Sequence, residues 1–269
     1  MLIDKKELAN QEYDDLIQSS FTKIKSLSPQ EKRKFKLFYL KYLIKRESLI
    51  RKAFLYFLFR YPSIVTMQIK ARQDGGLSGK YQWLRLAELV WCLKRFKPTS
   101  IVEMGSGTST ALFSKMCPHK LTTLEESEYW KDRLLDNIKD LSKQMNLIRA
   151  DRVVEMNNEE LVCYYDFDHT QYYDFVYVDG PHTIPPEEIK NSVVKDPVGY
   201  VPCIDVELFW DNNIFPRVII IDGKRATVRR LIDRGKQNYN IYLKSDFLIN
   251  CHAMNFSDFS YHTMMIRKD

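Results

Sequence analysis

No apolar run in this 269-residue chain reaches the roughly 18 to 20 residues that a membrane-crossing helix needs. The opening stretch MLIDKKELANQEYDD has no apolar core segment, so a secretory leader is not expected either. There is no CxxC pair. The five cysteines, Cys92, Cys117, Cys163, Cys203 and Cys251, are odd in number and widely spaced, which argues against a disulfide framework and a structural zinc site and fits a reducing cytosol. Tracts rich in Pro, Gly or Ser, low-complexity segments and internal repeats are missing as well. What remains is globular material, 45% hydrophobic and 13% aromatic, enough for one large α/β domain behind an N-terminal helical extension.

The net charge of +6 is concentrated. From Glu31 to Arg60 the chain carries ten Lys or Arg against two Glu, a local +8 that leaves −2 for the rest. This segment opens on SPQE, with Ser28 as N-cap, Pro29 at the first helical position and Glu31 three residues after the cap, which marks a helix start. Apolar residues then recur with helical spacing from Phe35 to Leu58, and Pro62 is expected to stop the pattern. One or two amphipathic helices follow from this. They suit a lid or homo-oligomer face with solvated lysines, or a basic-aromatic surface in peripheral contact with an anionic membrane through residues 28–61. Residues 1–75 are therefore assigned to a helical region and 76–269 to the α/β domain.

Within 76–269, helix and strand signals alternate. Tyr81–Phe96 has helical periodicity, and strand Ile101–Met104 leads to a helix from about Ser109. A strand at Leu121–Leu124, a helix from Ser127 to about Gln144 and a strand near Val153 come next. Then follow a strand at Phe175–Val178, a helix near Pro186–Val194 and the strand RVIII at 217–221. Such alternation means parallel strands joined by crossover helices, with ligands bound beyond the strands' carboxyl ends. The runs NIYLKSDFLI and SYHTMMIRK lie too close for a helical crossover and are expected to close the sheet as an antiparallel hairpin.

The stretch SIVEMGSGTSTALF, residues 100–113, places Glu103, Gly105 and Gly107 where a strand feeds a helix. Glycines there allow a sharp turn and a close ligand, and the helix-start amides of Ser109 and Thr110 can bind an anionic group. Glu125 ends the next strand, where a carboxylate can accept hydrogen bonds from both ribose hydroxyls of an adenosine. A dinucleotide site would want a third glycine where Thr110 stands. GGLSGKY at 75–81 is one residue short of a phosphate-binding Walker loop and lacks Ser or Thr after Lys80. The acid ahead of the first glycine suits an ammonium group, so a zwitterionic amino acid joined to adenosine satisfies all these residues.

The segments VEMGSGTST, LTTLEES and YYDFVYVDGPH resemble motif I, the ribose-binding acid and the fourth-strand motif of class I S-adenosylmethionine-dependent methyltransferases. They are most similar to the small-molecule and sugar O-methyltransferases with DG.H after the fourth strand. The resemblance spans residues 80–269. It implies a three-layer Rossmann-like fold with a mostly parallel seven-stranded sheet. Glu103, Gly105, Gly107, Ser109 and Thr110 would lie along the cofactor's methionine part, with Glu125 at its ribose. Asp179 and Asp222 end strands that this fold makes neighbours, and in metal-dependent relatives carboxylates at these positions help bind Mg²⁺. Gly223 stands where catechol-type enzymes provide an amide ligand, so a third ligand is unidentified.

His182, three residues after Asp179, has an imidazole suited to a general base near neutral pH, whereas His119, His169, His252 and His262 are read as structural. Lys224 and Arg225, just past the fifth strand, offer charge to a phosphate or carboxylate on the acceptor, as in a nucleotide- or lipid-linked sugar. The tyrosines of CYYDFDHTQYYDF are expected mainly to pack on the sheet. The expected activity is O-methylation of a small polar acceptor, a sugar or glycan precursor, in the cytoplasm or at the inner face of its membrane. N-methylation, a specialised-metabolite acceptor and a non-catalytic partner- or membrane-binding module stay open. Nucleic acid is not expected as substrate, because the catalytic region sums slightly negative and an Asn-Pro-Pro-Tyr motif is missing.

Overall fold

The computed structural model describes residues 28–73, 82–117, 120–138, 145–157, 160–180, 201–242 and 262–269. Two compact units form: Met1–Trp91 with Leu243–His262, and Cys92–Tyr242 with Thr263–Asp269. The expected boundary at 75/76 falls outside the described residues.

In the first unit, α1 spans Pro29–Arg60 and α2 spans Pro62–Gln73. The helix starts as expected, with the Lys32 amide donating to the Ser28 carbonyl at 2.8 Å. Pro62, expected as a stop, occupies the first position of α2, where a missing N–H costs nothing because that amide has no helical acceptor. Tyr61 is the joint: its amide bonds Phe57 O at 2.7 Å and its carbonyl accepts from Ile64 at 3.0 Å. Ile50, Ala53 and Phe57 turn one face of α1 inward. Trp83, near the start of α3 (Gln82–Phe96), meets Phe54 edge-on at 5.3 Å and Phe57 at 5.9 Å. Glu88 accepts from the backbone of His262 at 3.0 Å and lies 2.8 Å from its Nδ1, in keeping with a structural histidine.

The second unit is built on β1 (Ser100–Met104), α4 (Thr108–Met116), β2 (Lys120–Glu125), α5 (Glu128–Ile138), β3 (Met145–Arg149), β4 (Arg152–Asn157) and β5 (Glu160–Tyr165). β6 (Phe175–Val178), α6 (Asp205–Asp211), β7 (Val218–Ile221), α7 (Arg225–Gly235), β8 (Tyr239–Tyr242) and β9 (Thr263–Arg267) complete it. Seven strands form one sheet in the order β3-β2-β1-β6-β7-β9-β8, flanked by helices. The first five run parallel, and β9 is antiparallel to both β7 and β8, which is the closing arrangement expected from the sequence. β1, β6 and β7 are buried throughout, as apolar strands covered on both faces must be.

One expectation is corrected. The strand near Val153 does not continue the alternation: it is β4, which among the described residues pairs with β5 alone, in a separate antiparallel ribbon. The third strand of the sheet is β3, whose residues are half-buried or exposed at the sheet's edge and carry little apolar signal. The expected helix near Pro186–Val194 lies outside the described residues.

Candidate active site

Parallel register brings the carboxyl ends of four strands to one edge. Met104 pairs with Leu124 on one side and with Val178 on the other, and Val178 pairs with Ile221. The residues that follow these strands therefore line one site: the loop from Gly105, Glu125, the Asp179–Gly180 pair and Asp222. Its floor is backbone on backbone. The amides of Asp179 and Gly180 both donate to Met104 O, at 2.9 and 2.5 Å, and the Gly105 amide donates to Leu124 O at 2.9 Å.

The two glycines of the loop differ in what requires them. Gly105 has φ +89°, and a Cβ there would lie 2.7 Å from the Gly180 amide nitrogen. A Cβ on Gly180 would in turn fall 2.9 Å from Gly105 Cα and 2.3 Å from the Tyr165 hydroxyl. Gly105 is thus held to glycine by the protein's own packing and backbone, not by a ligand. Gly107 is the reverse case: its φ of 173° is ordinary extended backbone, and none of the described residues lies within 4 Å of the position a Cβ would take.

Both ends of this loop are fastened by carboxylates. Ser106 donates its amide (3.0 Å) and hydroxyl (2.5 Å) to one oxygen of Glu125, whose other oxygen accepts the Ser127 amide at 2.9 Å. Ser109 donates its hydroxyl to Glu103 at 2.5 Å, and Thr123, directly across the strand pair, donates to the other oxygen at 3.0 Å. Thr110 shapes the turn: its hydroxyl accepts from the Gly107 amide at 2.9 Å and its own amide returns to Gly107 O at 3.1 Å. The Thr110 amide, a candidate anion donor by sequence, is thereby committed within the loop.

Glu103 is fully buried. Loss of hydration raises its carboxyl from an ordinary 4.5 to about 8, the hydroxyls of Ser109, Thr110 and Thr123 pull against that rise, and the nearby Asp179 adds to it. A buried carboxyl whose pKa lies near neutral pH can trade its proton for an arriving cation.

Asp179 is half-buried and Asp222 buried. The Tyr177 hydroxyl donates to Asp222 at 3.2 Å. Among the described residues no group of three His, Cys, Asp or Glu side chains gathers to hold an ion. Lys224 sits just before α7, half-buried, and Arg225 is the first residue of that helix. Arg230 on the same helix is occupied elsewhere: it binds Glu207 at 2.5 Å and Glu160, tying α7 to α6 and β5. His182 lies outside the described residues.

Sequence reasoning missed Ser106 and Thr123, and read Tyr165 as one of a tyrosine cluster without its place beside Gly180. Ser106 stood between the two glycines, where a hydroxyl reaching back to the next strand's acid was available as a signal. Thr123 and Tyr165 had none, because only strand register and the β4–β5 ribbon bring them in. Burial, followed by the charges of Glu126 and Glu125, pushes the Tyr165 phenol well above its ordinary range, so it stays protonated beside Gly180. Tyr165 and Tyr173 are buried, while Tyr172 is exposed, which divides the tyrosine cluster between packing and surface. His169 is structural, with Nε2 2.8 Å from buried Asp205.

Sheet order, the one reversed strand β9 set between β7 and β8, and the site at the carboxyl edge define the Rossmann-like methyltransferase fold. The chain is similar to a "putative caffeoyl-CoA O-methyltransferase" from Staphylococcus aureus, at 12% identity and a TM-score of 0.51, covering 84% of this chain and all of that one. It is also similar to a "putative O-methyltransferase" from Klebsiella pneumoniae (13% identity, TM-score 0.48, 77% and 90% covered). A third similar structure is the O-methyltransferase TomG from Streptomyces achromogenes, involved in tomaymycin synthesis and solved with S-adenosylmethionine (11% identity, TM-score 0.48, 80% and 95% covered). At such identities the likeness is one of fold. No family model and no curated protein matches the chain.

Proposed function

We propose that this chain is an S-adenosylmethionine-dependent O-methyltransferase acting on a small polar acceptor of the sugar or glycan-precursor class. The observation that carries the reading is the open space over Gly107, on a loop tied to Glu103 through Ser109 and to Glu125 through Ser106. Among the described residues no packing contact requires a glycine at 107, and its backbone is unstrained, so a ligand seated there is the reason we assign to it. Glu103 would face the ammonium end of the cofactor, which favours its ionised form, and the lone pairs of Glu125 left over from Ser106 and Ser127 would take the ribose hydroxyls.

When bound, the cofactor supplies an electrophilic methyl group on a sulfonium. The protein's part is to orient the acceptor and take its hydroxyl proton. Asp179 beyond β6, with His182 three residues later, is assigned to that proton. Lys224 and Arg225 beyond β7 are assigned to a phosphate or carboxylate on the acceptor.

Gly107→Leu tests the reading with little risk to folding. Calorimetry with S-adenosylhomocysteine should show binding to the native chain and a loss of at least about a hundredfold in the variant, with the melting temperature nearly unchanged. Equal affinity in the two proteins would remove the cofactor from this loop. No binding to the native chain at millimolar ligand would remove the reading altogether.

A further inference from the structure

Helix α1 carries two apolar faces. One is turned inward through Ile50, Ala53 and Phe57. The other, on the opposite side of the helix, holds Leu37, Leu40, Ile44, Leu55, Leu58 and Phe59, and all six are exposed, Phe59 by 82%. Their spacing of three, four, eleven, three and one residues keeps them on one side at 3.6 residues per turn. A helix apolar on both sides has a use for each. α1 cannot cross a bilayer, since no helix among the described residues is long and apolar enough to do so.

Charge identifies what the outer face meets. Arg33 and Arg51 are exposed on the same side as the six apolar residues, and Lys52 is exposed beside it. Of the acids of α1, Glu31 falls by helical spacing on the far side and Glu47 at the margin of this one, so three basic residues stand there against one acid. The segment as a whole carries +8. A second copy packed on this face would set such charge against itself. A nucleic acid would answer the charge but leave six aliphatic and aromatic side chains in water. An anionic lipid surface answers both, because the apolar residues enter the acyl boundary while Arg and Lys stay among the phosphates.

We propose that the outer face of α1 is a membrane-docking surface that lays the helix in the interface of an anionic bilayer. Docking places no requirement on the nucleotide-type site and is independent of what that site binds. The tests use the full chain in flotation with vesicles of phosphatidylcholine alone and with about one third phosphatidylglycerol. Binding is expected to the anionic vesicles and to fall as salt rises through the range where the Debye length shortens. Arg51→Glu with Lys52→Glu should weaken it by about twenty-five-fold or more, taking about fivefold for each basic residue.

Leu55→Glu with Phe59→Glu should weaken it by about tenfold or more at unchanged charge on the basic residues. All four substituted positions are exposed, and an unchanged melting temperature verifies the fold. Failure to float with anionic vesicles at any lipid concentration overturns the proposal, as does flotation indifferent to Leu55→Glu with Phe59→Glu. Sedimentation showing a dimer that these substitutions dissociate, without vesicle binding, would assign the face to a second copy. Salt-sensitive RNA binding without vesicle binding would assign it to nucleic acid, and either result overturns the lipid assignment.

Discussion

Among the described residues of the sheet-bearing unit, the carboxylates of Glu103 and Asp205 are wholly buried, and their surroundings differ in kind. Asp205, at the start of α6, accepts the Tyr165 amide at 3.1 Å and the Cys203 thiol at 2.9 Å, and it faces the His169 imidazole at 2.8 Å. Those contacts tie β5, the segment before β6 and α6 into one knot. Glu103 meets hydroxyls, with Asp179 nearby to repel it, and among the described residues no cation pairs with it. Burial is the same in both, so burial alone does not tell a structural carboxylate from one kept for a ligand. The partners do. A buried acid with an imidazole, an amide and a thiol is finished, whereas one that burial raises toward neutral pH, with only hydroxyls to oppose the rise, still has an ionisation to spend on something that arrives.

The largest expected effect breaks the knot. Asp205→Ala should lower unfolding stability by about 3–5 kcal/mol, because His169 and the Tyr165 amide lose their partner in a dry site. Denaturant titration measures it, and a loss below about 1 kcal/mol would mean that the knot is incidental.

The opposite sign is expected at the other acid. Glu103 has a folded value of about 8 against an ordinary 4.5, so the folded chain binds more protons than the unfolded one between those pH values. Its contribution is therefore most favourable below about pH 4.5, declines as pH rises through that window and levels off above 8. Glu103→Gln should accordingly stabilise the protein by about 1–2 kcal/mol at pH 8 and little at pH 4. The same variant should bind S-adenosylhomocysteine about tenfold more weakly. Denaturation and calorimetry run side by side would separate the two signs, and lower stability together with unchanged affinity would return Glu103 to the structural class.

A smaller effect sharpens the contrast. Thr123→Val removes one hydroxyl that favours the ionised form, so the Glu103 carboxyl should climb further. The pH at which ligand affinity rises should move up with it, at a stability cost near ~1 kcal/mol. An unmoved pH profile would show that the ligand does not sense Glu103.

Much of the fold was legible because its central strands are apolar on both faces. IVEM, FVYV and VIII announce themselves, and β6 matched its expected range residue for residue. β3 was missed because an edge strand half in water loses that signal, and the β-branched pair at 153–154 drew the strand assignment to the neighbouring ribbon instead. In the site, the residue types were legible and their division of labour was not. Gly105 and Gly107 read alike in sequence, and only the contact with Gly180, which lies 75 residues from Gly105, separates a glycine kept for packing from one kept for space. Pro62 was read as an ending because the rule that excludes proline from a helix interior also admits it at a helix start.

The joint between Gly105 and Gly180 sets where this protein can vary. Two main chains meet there with no side chain between them, so no substitution can tune the distance, and the Tyr165 hydroxyl closes the third side. The floor beneath the ligand is a fixed datum. On the proposed function, change in what the protein accepts would come from elsewhere than this joint, and a designer altering the acceptor should leave the two glycines alone.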